Sequence, residues 1–180
     1  MIKSMAVFCG SKPGKNPLYE WHATALGEIL AKHSIRLVYG GGNKGLMAAV
    51  ANGALQSGGE VTGVIPRLLS EREHMHNGLT ELHLTNDMHE RKLQIYQRCD
   101  AAIALPGGYG TLDELFEIIT WQNLAIHNKK VFVLNSGGFY SHLIAHMVMM
   151  QKENFLYQDP TEQLTVINEP GEIIPYLSLS

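Results

Sequence analysis

Short apolar runs alternate with longer amphipathic stretches along the whole chain, and few folds accommodate that rhythm. The runs Met5–Cys9, Ile35–Tyr39, Val61–Ile65, Glu81–Thr85, Ala101–Leu105, Val131–Leu134 and Leu164–Ile167 have strand length. Several are nearly continuous in apolar character, as parallel strands covered on both faces require. Between them, Leu18–His33, Gly45–Ser57, Met88–Arg98, Leu112–His127 and Phe139–Lys152 carry helical periodicity. A β-α-β-α order of this kind predicts an α/β fold with a doubly wound parallel sheet. Asn128-Lys129-Lys130 and Ser136-Gly137-Gly138 read as tight connections, and no repeat or charge block interrupts the 180 residues, so one domain over 1–180 is expected.

Composition narrows the class of function. At 45% hydrophobic and 17% charged residues the chain is neither disordered nor a coiled coil. A net charge of −3 offers no nucleic-acid surface, and no apolar run is long enough to span a bilayer. The apolar part of the opening nonapeptide is too short for a signal peptide, and Cys9 and Cys99 match neither a disulfide scaffold nor a zinc knuckle. The expectation is a cytoplasmic globular protein with no membrane partner.

Ligands of doubly wound sheets bind beyond the carboxyl ends of the strands, where the winding reverses. Three glycine-rich loops follow strands here: Cys9-Gly10-Ser11-Lys12-Pro13-Gly14, Gly40-Gly41-Gly42-Asn43-Lys44-Gly45, and Pro106-Gly107-Gly108-Tyr109-Gly110-Thr111. Each leads into a helix, whose first N–H groups lack intrahelical partners and attract anions. One such loop is a tight turn; three on one sheet edge point to a phosphorylated small molecule. Gly40, Gly42 and Gly45 satisfy GxGxxG, but the ribose-binding acid about 20 residues on is missing, since the next strand ends Gly63-Val64-Ile65-Pro66. No GxxxxGK[ST] occurs either. A monophosphate fits better than a dinucleotide or a triphosphate.

Two charged side chains stand out. Thr111-Leu112-Asp113-Glu114 reads as a capping box, with the Thr111 hydroxyl at the helix start and Glu114 reaching back. The same placement puts Glu114 beside the phosphate loop, facing a bound sugar. Asp87 and Glu90 read as the start of another helix, so Arg91 and Lys92 fall near the end where a cation is disfavoured by about 0.3–1 kcal/mol. Met88, Arg91, Lys92, Ile95 and Cys99 share one face, which turns Arg91 inward toward an anionic ligand or a buried carboxylate. His74-Met75-His76 reads as a loop, His142 and His146 lack the glutamate of HExxH, and no metal-ligand spacing appears. Ser11 lacks a nucleophile elbow and is assigned a phosphate contact.

Pro106-Gly107-Gly108-Tyr109-Gly110-Thr111-Leu112-Asp113-Glu114, with Met88-His89-Glu90-Arg91-Lys92 upstream, resembles the LOG (LONELY GUY) family of cytokinin riboside 5′-monophosphate phosphoribohydrolases, long labelled lysine decarboxylases. The resemblance runs from Val7-Phe8-Cys9-Gly10-Ser11 through Ile119-Thr120-Trp121 to Phe139-Tyr140. It implies a Rossmann-like fold, a homodimer, and hydrolysis of purine nucleoside monophosphates to free base and ribose 5-phosphate without metal or organic cofactor. It implies Arg91 and Glu114 as the catalytic pair. As substrate-binding residues it implies Lys92, Glu73, Thr120, and Gly108, Tyr109, Gly110, Thr111, Leu112 and Asp113. Ser11, Gly41 and Gly42 of the first two loops complete the expected binding set. Many members carry a second serine where this chain has Lys12. The alternative is a non-catalytic nucleotide or cofactor carrier built on the same loops.

Overall fold

The structure is a computed structural model describing residues 1–70 and 74–177. The elements run β1 (Ser4–Phe8), α1 (Pro17–Lys32), β2 (Arg36–Tyr39), α2 (Gly45–Gln56), β3 (Val61–Pro66), α3 (Arg67–Ser70), β4 (Glu81–Thr85) and α4 (Met88–Gln97). They continue with β5 (Ala101–Ala104), α5 (Tyr109–Asn123), β6 (Lys130–Leu134), α6 (Ser141–Lys152), α7 (Pro160–Gln163), β7 (Leu164–Ile167) and α8 (Ile174–Leu177). The strands form one seven-stranded sheet in the order β4-β3-β2-β1-β5-β6-β7, and each neighbouring pair is parallel. The doubly wound α/β expectation holds.

Strand alternation sorts the core into two layers. Met5, Val7, Leu37, Tyr39, Ile103 and Phe132 pack with the inner residues of α1 and α2. Ala6, Phe8, Val38, Ala102, Ala104 and Val133 face the opposite way, onto Ile95 and onto Leu115, Ile118 and Ile119 of α5. Because side chains alternate at each residue, one strand sequence supplies both layers, which is why the runs read as apolar throughout. The winding reverses between β1 and β5: β2 to β4 lie on one side of that seam and β6 and β7 on the other.

Differences from the sequence expectation have local causes. The helix expected over Leu112–His127 starts at Tyr109 and stops at Asn123. It stops in a Schellman turn, where the Ala125 N–H donates to the Gln122 carbonyl and the Ile126 N–H to that of Trp121. Ala125 takes the left-handed conformation, φ 54°, that a glycine would have announced. The four-residue helices α3, α7 and α8 are too short to show a period. Among the described residues no helix is long and apolar enough to cross a membrane.

Candidate active site

The loops after β1 and β5 meet over the seam, and a cavity of about 530 Å³ opens between them. Two backbone hydrogen bonds lace its walls. The Gly10 N–H donates to the Pro106 carbonyl (3.0 Å), and the Leu46 N–H at the start of α2 donates to the Gly10 carbonyl (3.0 Å). Tyr140, from the turn after β6, donates its hydroxyl to the Leu105 carbonyl (2.6 Å) just before the third loop. Burial, with Cys9 adding to it, raises the Tyr140 phenol and keeps it a donor.

Helix α5 enters the cavity with its N-terminus bare. Its N-cap is Gly108, in extended conformation, with no capping side chain and no acid in the first turn. Tyr109, Gly110 and Thr111 of that turn wall the cavity, so their N–H groups and the helix dipole meet there. The expected capping box is therefore absent. The helix begins two residues before Thr111, which is buried against Gly107, where a Cβ would stand 2.1 Å from the Thr111 hydroxyl. At the start of α4 the expectation holds. Asp87 accepts from the Glu90 N–H (2.8 Å), while Glu90 reaches back one residue further than expected, to the Asn86 N–H (2.8 Å).

Arg91 and Glu114 converge on this cavity from different helices. The guanidinium Nη2 lies 3.9 Å from Glu114 Oε1, with the side chains 8% and 13% exposed. Opposite charges at that distance attract but are not hydrogen bonded. Among the described residues Arg91 Nε has no hydrogen-bond partner although buried, and Nη1 meets only the Met88 sulfur at 3.7 Å. A buried guanidinium with spare donors beside a bare helix N-terminus suits an anion. Gly40 makes the room: a Cβ there would stand 2.1 Å from Arg91 Nη2. Tyr19 and Phe139, edge to face with centroids 5.5 Å apart, join Met47 and Met88 as an apolar wall.

The remaining expected residues divide. Ser11, Gly108, Tyr109, Gly110, Thr111 and Asp113 wall the cavity. Lys92 does not; its ammonium sits between Asp113 Oδ2 (3.2 Å) and Glu117 Oε1 (3.1 Å) on α5. Burial opposes that charge, but hydrogen bonds to Glu117 and Asp113 outweigh it and raise the Lys92 pKa. Thr120 donates to the Phe116 carbonyl (2.6 Å) and lies, with Leu112, in a shallow groove on the outer side of α5. Gly41 and Gly42 are buried behind the cavity and pair with the segment from His74 to His76. Glu73 lies outside the described residues. Sequence reasoning read Gly40 only as part of a GxGxxG pattern, not as the place Arg91 rests, and did not single out Tyr19. The glycine run contained a signal for the first, and nothing in the spacing distinguished the second. His142 and His146 are exposed, and among the described residues no group of His, Cys, Asp and Glu could hold a metal.

Fold and site together define a parallel α/β protein with a pocket at its topological switch point, walled by a buried guanidinium and an uncapped helix start. The family model described as "possible lysine decarboxylase" matches residues 47–177. The chain is 46% identical over 155 residues to the cytokinin riboside 5′-monophosphate phosphoribohydrolase of Rhodococcoides fascians, covering 86% of this chain and 78% of that one. It is 43% identical over 170 residues to the phosphoribohydrolase LOG7 of Arabidopsis thaliana, covering 94% and 77%. The chain belongs to this family, the LOG family, as its motifs implied. Among solved structures, the molybdenum cofactor binding protein of Rippkaea orientalis superposes with a TM-score of 0.72 at 22% identity, covering 98% of this chain and 96% of that one. That likeness shows the fold.

Proposed function

We propose that this chain hydrolyses the N-glycosidic bond of purine riboside 5′-monophosphates, such as AMP or N6-isopentenyl-AMP, giving free base and ribose 5-phosphate. The observation that carries the reading is the convergence of Arg91 and Glu114, 3.9 Å apart, beside the uncapped start of α5. Ser11 and the first-turn N–H groups of α5 hold the phosphate. As the bond from C1′ to the base nitrogen breaks, its electron pair leaves with the base and the sugar becomes oxocarbenium-like. The Glu114 carboxylate stabilises that positive charge, orients the water that attacks C1′ and takes its proton, which then passes to the nitrogen of the released base. Arg91 stays protonated and acts electrostatically, on the phosphate or on the charge gathering on the leaving base.

Lysine decarboxylation, the label of the family model, needs a lysine to hold pyridoxal phosphate, with its pKa lowered by burial. The residues do not fit. The lysine that walls the cavity is Lys12, exposed in the first loop, and Lys92 is shifted the other way by its two carboxylates. The phosphoribohydrolase relatives support the hydrolytic reading over a carrier.

The same reading treats residues 1–180 as one cytoplasmic domain that works as a homodimer through the outer side of α5. Phe116 and Trp121 line the groove there, and Leu124 and Ile126 beyond it are exposed. In that arrangement Thr120 reaches nucleotide at the interface. Light scattering should give twice the 19.9 kDa of the chain.

The test is a substrate panel of AMP, isopentenyl-AMP, GMP and CMP, with released base followed by chromatography. Base should appear from the adenine nucleotides, and Glu114→Gln should lower kcat by about 10²–10³-fold. No base above the Glu114→Ala background sinks the reading, and tight binding without turnover installs the carrier in its place.

A further inference from the structure

We propose that His76 is a positioning residue for Arg91: its neutral ring latches the segment from His74 to Gly78 onto the loop after β2, and that loop is the wall against which the guanidinium rests.

The loop opens on three consecutive glycines. Gly41 takes φ 75°, a conformation in which other residues are strained, and Gly40 has no side chain because Arg91 occupies its place. A short antiparallel contact pins the middle of the loop. The His76 N–H donates to the Gly41 carbonyl (3.1 Å), the Asn43 N–H donates to the His74 carbonyl (2.8 Å), and Gly42 bridges Met75. From the other side, the Tyr39 hydroxyl donates to the Gly42 carbonyl (3.1 Å).

The His76 ring fastens that contact. It is 8% exposed; Nδ1 accepts from the Gly78 N–H (3.1 Å), and Nε2 faces Asn52 Oδ1 on α2 (3.0 Å). A backbone N–H can only donate, so Nδ1 must carry its lone pair and Nε2 the proton. Protonation of Nδ1 would set two donors against each other. Burial lowers the pKa of His76, which keeps the latch closed near neutrality, and the sign follows: acidification through the His76 pKa opens it. The groups on the ring, Asn52 from α2 and Gly78 from its own segment, are uncharged. The nearest ionisable residues along the paired segments are His74 and Lys44, and Glu114 faces the guanidinium itself.

The inference rests on the catalytic role proposed for Arg91, so one readout must not depend on turnover. His76→Asn keeps an oxygen that can accept from the Gly78 N–H, cannot titrate, and leaves His74, Lys44 and Glu114 in place. With AMP as substrate, His76→Ala should lower kcat about tenfold or more with KM within about threefold. Wild-type activity should fall on the acid side as His76 protonates, and His76→Asn should recover most of kcat and lose that fall. Independently, the Arg91 Nε–H signal in a nitrogen–proton NMR spectrum, identified by its loss in Arg91→Lys, should move with pH through the His76 titration in wild type and stay in His76→Asn.

An unchanged kcat in folded His76→Ala overturns the proposal. So does a His76→Asn protein with the wild-type pH dependence of the Arg91 signal. If His76→Ala does not fold, the comparison of wild type with His76→Asn decides alone. A wild type that releases no base defeats the proposed hydrolase, while the Arg91 signal still judges the latch.

Discussion

Replacing Gly40 by alanine adds a single methyl group, and the structure says where its cost falls. The new Cβ would stand 2.1 Å from Arg91 Nη2, whereas real Cβ contacts stay beyond 3.0 Å, so a displacement of about 1 Å is forced. The guanidinium is the flexible partner, but its side chain is only 8% exposed and cannot swing into water freely. Overpacking of this kind costs about 1–3 kcal/mol of stability, which a domain of this size survives. Misplacing a catalytic group by about 1 Å costs about 10²-fold, equivalent to about 2.7 kcal/mol of transition-state stabilisation. Gly40→Ala should therefore fold, melt somewhat lower, and lose about 100-fold in kcat/KM for AMP hydrolysis. Gly171→Ala, whose Cβ meets nothing within 4 Å, is the control and should behave as wild type. A folded Gly40→Ala protein within threefold of wild-type kcat/KM would refute the placement of Arg91 in the chemistry.

Three other outcomes can be checked. Gly108→Ala meets no atom within 4 Å and keeps an allowed backbone, so it should fold normally; its methyl stands at the mouth of the α5 N-terminus and should raise KM for AMP about tenfold in steady-state assays. Lys92→Met leaves Asp113 and Glu117 without their shared cation and should lower stability by about 1 kcal/mol, discounted for the exposed Asp113. Because the folded pKa of Lys92 is raised, that difference should be full below its unfolded value of about 10.4 and shrink as pH climbs past that value toward the folded one, a decline that denaturant melts across pH 7 to 11 will read. Cys99, its thiol pushed up to about 11 by burial, should resist iodoacetamide at pH 8 until the protein is unfolded; native labelling at a free-thiol rate counts against its burial.

The inner strands were legible because they lie between two helical layers and are apolar on both faces, whereas the edge strands β4 and β7 are only partly buried; all seven expected runs became strands. The inward turn of Arg91 was legible for a different reason, since a cation at the start of a helix is an electrostatic anomaly that demands a partner. The start of α5 was not. Thr111 looked like a cap because its hydroxyl suits one, yet the helix runs back to Gly108 and leaves the N-terminus uncapped for a ligand. Nor could spacing tell which glycines face the cavity. Gly107 and Gly108 do, whereas Gly41 and Gly42 serve a backbone contact with residues more than thirty positions away, a pairing that exists only in three dimensions.

Strand β4 sits at one margin of the sheet while β5 pairs with β1 near its middle, so the chain between them must travel over β3 and β2. The helix making that journey is the one that carries Arg91. The guanidinium rides on that crossing, and the carboxylate rides on α5, the helix that follows β5. They become neighbours only when the longest lateral step of the topology is complete, and catalytic competence becomes a report on whether that crossing has closed.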